Sequence, residues 1–217
     1  MSASGLVHRT VRSGAVLFIA GAIEFIVGMI VVQSRYPGYS LSQNYISDLG
    51  GASSPWALVF DASVIVLGIC AIFGALLIWG AFPERPSRGV GLGFLLIAGI
   101  GAIGVGVFPE TTPVLHGAMH SIVSAIAFIG AGIGLTVLSA AMTPGPHWRF
   151  SRPFTLALGV ITLVATALFL TGIYLGLGPG GVERMIVAPI LLWAIVEGIH
   201  IARLPRFAPS MTFKTPA

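Results

Sequence analysis

A chain of 217 residues that is 56% hydrophobic and only 8% charged is far from the composition of a soluble domain, in which about a quarter of residues are Asp, Glu, Lys and Arg. A core this apolar cannot be hidden from water at this length, so the solvent is a bilayer. The net charge of +4 would suit a polyanion, yet the eleven Lys and Arg residues are scattered between apolar runs, build no phosphate-tracking face and exclude nucleic acid as a partner.

The first apolar run covers residues 14 to 33 and follows His8, Arg9 and Arg12, the shape of a signal peptide's first half. It is too long for one, and Gln33-Ser34-Arg35 offers no small-x-small cleavage site, so it reads as a retained spanning helix. Five further runs follow at 56 to 82, 89 to 108, 115 to 141, 154 to 177 and 184 to 204. Each is long enough for a hydrocarbon core about 30 Å thick, and all are about twice the length of a barrel strand. The expected fold is all-α: a single six-helix transmembrane domain over residues 1 to 204, with a cytoplasmic tail at 205 to 217. Cys70 lies within an apolar run and is read as a packing residue; one cysteine permits neither an intrachain disulfide nor a cysteine-based zinc site.

Nine basic residues (Arg9, Arg12, Arg85, Arg88, Arg149, Arg152, Arg203, Arg206 and Lys214) fall on one side of a six-span layout, and only Arg35 and Arg184 on the other. This asymmetry places both termini in the cytoplasm, with the plasma membrane as the expected location. Tyr36, Tyr39, Tyr45, Tyr174 and Trp56 then mark the outer interface, and Trp79 and Trp148 the inner one. The one long connection, residues 34 to 55, carries two aromatic, glycine-containing clusters and is expected to fold over the outer mouth of the bundle. Gly89/Gly93, Gly130/Gly134 and Gly172/Gly176, each four apart, predict close helix packing. The long first outer loop has no counterpart in the second half, which argues against an inverted-repeat transporter.

Ionisable side chains inside a bilayer are costly and mark candidate sites. An outer group comprises Asp61 on helix two and His116, His120 and Ser124 spaced by four on helix four, with Asn44, Ser47 and Asp48 in the loop above. Asp61 and His120 are expected at one depth and to face each other. Three readings stay open for this group. The first is a zinc site using His116, His120 and the Asp61 carboxylate, which would make an intramembrane hydrolase. The second is a structural hydrogen bond between helices, and the third a polar pocket for the headgroup of a lipid or small amphiphile. An inner group comprises Glu24, between Gly21 and Gly28, and Glu197 with His200 on one face of helix six. It is read as structural, with proton-coupled transport through Glu24 and Glu197 as the alternative.

The segment Tyr39 to Gly50, YSLSQNYISDLG, resembles the signature of the prokaryotic membrane family called domain of unknown function 998, as do Phe108-Pro109-Glu110 and Leu115-His116-Gly117. The resemblance spans residues 14 to 204. It implies a polytopic helical fold, similar to the Frag1/DRAM/Sfk1 group, and no established activity. Asn44, Ser47, Asp48, Gly50, Pro109 and His116 match the family pattern, whereas Asp61 stands where the pattern favours Asn. A more distant similarity to the alkaline ceramidase superfamily is confined to scattered His, Ser and Asp residues. The functional expectation is a protein that binds membrane lipids or a small amphiphile, or organises the membrane; no cofactor is assigned, and zinc belongs to the alternative hydrolase reading.

Overall fold

The computed structural model describes residues 3–143 and 145–205. Among the described residues there are six α-helices, α1 Ala3–Arg35, α2 Ala57–Leu77, α3 Pro86–Val107, α4 Ala118–Ser139, α5 Ser151–Leu170 and α6 Gly178–Ala202, and no strand. All six are long and apolar enough to cross a membrane. Helices satisfy their own backbone polar groups, which is the condition hydrocarbon imposes on a spanning segment.

Consecutive helices pack side by side and α6 returns to α1, so the six close into a ring. Lipid tails are as apolar as leucine, so close van der Waals approach holds such a ring together. Small residues permit it. A Cβ on Gly91 or Gly101 of α3 would strike the α4 backbone at Leu138 or Ala127, one on Gly68 of α2 the Gly99 carbonyl, and one on Gly198 of α6 Ile19 of α1. Cys70 packs its Cβ against Gly21 across α1 and α2.

The two ends of the ring differ. At one end, here the cover end, residues 36–56 lie against the starts of α2 and α6. At the other, the terminal end, the α2–α3 and α4–α5 connections meet the end of α6 through Phe82, Trp148 and His200.

Several boundaries depart from the hydropathy reading. α1 begins at Ala3, eleven residues before the apolar run, because helical hydrogen bonding continues through the basic segment: hydropathy marks what touches lipid, not where a helix starts. α5 runs from Ser151 and stops at Leu170, and Leu175, Gly172 and Gly176 all adopt positive φ in the link beyond it. Gly172 and Gly176 therefore shape a turn and do not line a helix interface. Gly130 and Gly134 do face α3, while Gly93 has open space beside it. α6 begins at Gly178, with Pro179 in its first turn, which draws Glu183 into the helix and moves Arg184 from its start to its second turn. α4 begins only at Ala118: residues Val114–Gly117 form a separate 3-10 turn, and Gly117, at φ 86°, breaks the path between them. His116 is thus not on the helix that carries His120 and Ser124, so the three do not form one α-helical stripe. The spacing rule behind that expectation holds only within a continuous helix. The His116 side chain lies outside the described residues, as does most of the tail, from residue 206 onward.

Candidate functional site

The connection between α1 and α2 is a built cover. Asn44 ties it internally: its Oδ1 accepts from the Ser40 amide at 3.0 Å and its Nδ2 donates to Asp48 Oδ2 at 3.0 Å. Asp48 Oδ2 also accepts from the Tyr45 amide at 2.9 Å, and the Tyr39 hydroxyl donates to the Tyr45 carbonyl at 2.7 Å. Residues Ser47–Gly50 then form a short 3-10 turn that buries Leu49 beneath it.

Arg184 on α6 clamps this cover. Its Nη1 donates to the carbonyls of Leu41 at 2.8 Å, Asn44 at 3.2 Å and Gly180 at 2.9 Å, and its Nη2 to the Tyr39 hydroxyl at 2.8 Å. The planar guanidinium reaches four acceptors at once, which a lysine ammonium cannot do in this geometry. Ser42 adds a second tie, donating to the Leu177 carbonyl at 2.7 Å while its own carbonyl accepts from the Gly180 amide at 2.9 Å. Gly180 is required here, since a Cβ at that position would collide with the Asn44 carbonyl. Burial pushes the Tyr39 phenol above its ordinary range, with Arg184 opposing. The Tyr45 phenol is pushed up to about 12, first by its hydrogen bond with Tyr174 and then by burial.

On the inner face of the cover sits Glu183, 4% exposed. Its carboxylate accepts from the Ile46 amide and faces the Ser47 amide, so two main-chain donors at the start of the 3-10 turn meet one buried acceptor. Below it, at the centre of the ring, is a cavity of about 130 Å³. Ile46, Ser47 and Glu183 roof the cavity, Phe25, Phe60, Ala98, Ala131 and Leu191 are among its walls, and Phe18 and Trp193, edge to face at 5.4 Å, form its deep end.

The sequence-derived outer group is only partly assembled. Ser47 and Ser124 line the cavity; Asn44 and Asp48 are engaged within the cover. Asp61, 9% exposed, lies directly beneath Gly50, where a Cβ would collide with its Oδ1. The direct Asp61–His120 hydrogen bond does not form. His120 instead places Nδ1 2.9 Å from the Phe108 carbonyl, an oxygen left without a helical partner by the end of α3. Among the described residues, no three His, Cys, Asp or Glu side chains converge as metal ligands, a search that does not reach the His116 side chain. In the connection after α3, the Glu110 carboxyl meets Asp48. Burial, and then this contact, push its pKa from the ordinary 4.5 up to about 7.

The inner group is split between helix interfaces. Glu24 Oε1 accepts from Ser63 Oγ at 2.8 Å across α1 and α2, whereas Glu197 faces α5 at Ser151. Of the two residues that join the cover to α6, Glu183 falls outside a hydropathy span that starts at residue 184, and Arg184, its first residue, counts in that reading only as an outer-side charge. Pro179 after a glycine, a helix-start signal, would have found them.

A closed ring of six apolar helices, a structured cover and a central apolar cavity define an integral, polytopic helical membrane protein. The chain belongs to the family described as Protein of unknown function (DUF998), whose model matches residues 19–200. No curated protein and no solved structure matches it.

Proposed function

We propose that this protein binds a membrane lipid or small amphiphile in the central cavity, apolar part downward, with Ser47 and Glu183 beside its polar end. The observation that carries this reading is the cavity itself, lined almost wholly by apolar side chains and roofed by one buried carboxylate and one hydroxyl. An apolar protein cavity of roughly 150 Å³ stays dry and takes a benzene-sized guest, so about 130 Å³ suits a short stretch of an acyl chain or a small ring. The polar residues of the signature segment support the reading indirectly, by holding the roof in place. The distribution of basic residues supports an orientation with the terminal end in the cytoplasm and the cover outside the plasma membrane.

Native mass spectrometry of gently extracted protein tests the binding. Wild-type protein is expected to carry a lipid or amphiphile adduct, and Ala131→Phe and Ala98→Leu, which fill the cavity from α4 and α3, to lose it while remaining folded. A bare wild-type protein, or the same adduct in both filled variants, overturns the reading.

A further inference from the structure

Among the described residues, the least satisfied polar groups lie below the cavity, toward the terminal end. Glu197 is 0% exposed and its carboxyl meets the Ser151 hydroxyl, also 0% exposed, without a hydrogen bond of full geometry on either oxygen. The two face each other across α5 and α6. One turn toward the cavity, Trp193 Nε1 donates to Thr155 Oγ1 at 3.0 Å, so the same two helix faces form a satisfied pair there and leave an unsatisfied one at Glu197. Desolvation penalises an ionised carboxylate whose oxygens are not fully hydrogen-bonded, and binding a proton removes that charge.

His200 is three residues after Glu197 and shares its helix face. Its ring packs on the edge of Trp148 at 5.6 Å and against the main chain of His147, and its Nε2 is buried without a partner. His147, in the α4–α5 connection, is exposed. Glu197 lies five residues before the end of α6, about 7.5 Å along the axis. The charged groups nearby on the packed elements are otherwise placed: Arg88 of α3 donates to the Phe82 carbonyl and lies over the Trp79 ring, and Arg12 of α1, Arg152 of α5 and Arg203 after α6 are exposed. Glu24 is in the α1–α2 interface with Ser63.

We propose that Glu197 is a buried proton-binding site loaded from the terminal end through His200, one turn beneath the floor of the cavity. His200 takes a proton at Nε2 and passes it, directly or through one water, to a Glu197 oxygen: the N–H bond breaks as the O–H bond forms, leaving neutral imidazole and a neutral carboxylic acid. The reverse transfer empties the site. This inference does not depend on what occupies the cavity.

The test uses the full chain in lipid nanodiscs. Dicyclohexylcarbodiimide, an apolar reagent selective for protonated carboxyl groups, is expected to modify Glu197 in mildly acidic buffer, as read by peptide mass spectrometry, with the yield falling as pH rises. Infrared spectra are expected to show a protonated carboxyl band that is absent in Glu197→Gln and shifts on transfer to D₂O, the shift being several-fold slower in His200→Gln. The site is refuted if Glu197 stays unmodified in folded protein at every pH while detergent-unfolded protein reacts; this arm needs no variant to fold. The route is refuted if folded His200→Gln exchanges at the wild-type rate.

Discussion

Replacing Arg184 by Met keeps the length of the side chain and removes the charge and the donors that hold the cover. Three of its bonds reach the cover, to the Leu41 and Asn44 carbonyls and the Tyr39 hydroxyl, while the fourth stays within α6. A hydrogen bond to a charged group contributes about 1.5–3 kcal/mol, but the released carbonyls are near the surface and water replaces part of each bond. A net loss of about 3 kcal/mol follows for the closed cover, or roughly a hundredfold increase in its opening equilibrium at about 1.4 kcal/mol per factor of ten. Deuterium exchange of the Ile46 and Ser47 amides, which point at Glu183, reads that equilibrium. Their exchange is expected to accelerate by roughly two orders of magnitude in Arg184→Met, with the centres of α3 and α4 unchanged. Arg184→Lys restores the charge without the planar fork and is expected to fall between the two. Unchanged exchange in the segment 39–50, or acceleration spread evenly through the bundle, would show that Arg184 does not clamp the cover.

Gly50→Ala brings a methyl group onto Asp61 Oδ1 and the Phe60 ring and is expected to lower thermal stability by about 1–3 kcal/mol; Asp61→Ala in the same chain should recover part of the loss in a melting experiment. The raised pKa of Glu110 means the folded protein holds that proton more tightly than the unfolded chain. Its contribution is therefore complete below pH 4.5, declines as pH rises to about 7 and is constant above; Glu110→Gln should flatten this part of a melting-temperature profile. For orientation, in a Cys70→Ala background, a cysteine at Gln43, exposed on the cover, should react with an impermeant thiol reagent on intact cells, and cysteines at Ser2 and Thr215 should not. Labelling at Ser2 or Thr215 in sealed cells reverses the orientation.

Six spans were legible in the sequence because hydrocarbon leaves few choices: an apolar stretch of such length in a bilayer must form a helix, whatever it packs against. The ordered connection between α1 and α2 was legible too, since a segment this aromatic is not the composition of a solvated linker. The packing role of Cys70 needed only its position within an apolar run, and Gly21 confirms it. The partners of the polar groups were decided by the tertiary structure alone. Asp61 and His120 have matched positions on their helices, yet His120 turns to an unpaired carbonyl at the end of α3 that no spacing rule reveals. His116 is separated from α4 by one residue, Gly117, whose left-handed backbone is invisible to hydropathy. Glu183 looks like a link residue and Arg184 like the edge of a span until Pro179 starts α6 ahead of them, and then Arg184 clamps the cover and Glu183 roofs the cavity. Hydropathy reports how each segment meets its solvent, which is a local property. A hydrogen bond between segments depends on which backbones approach closely, and here glycines on neighbouring elements set that approach.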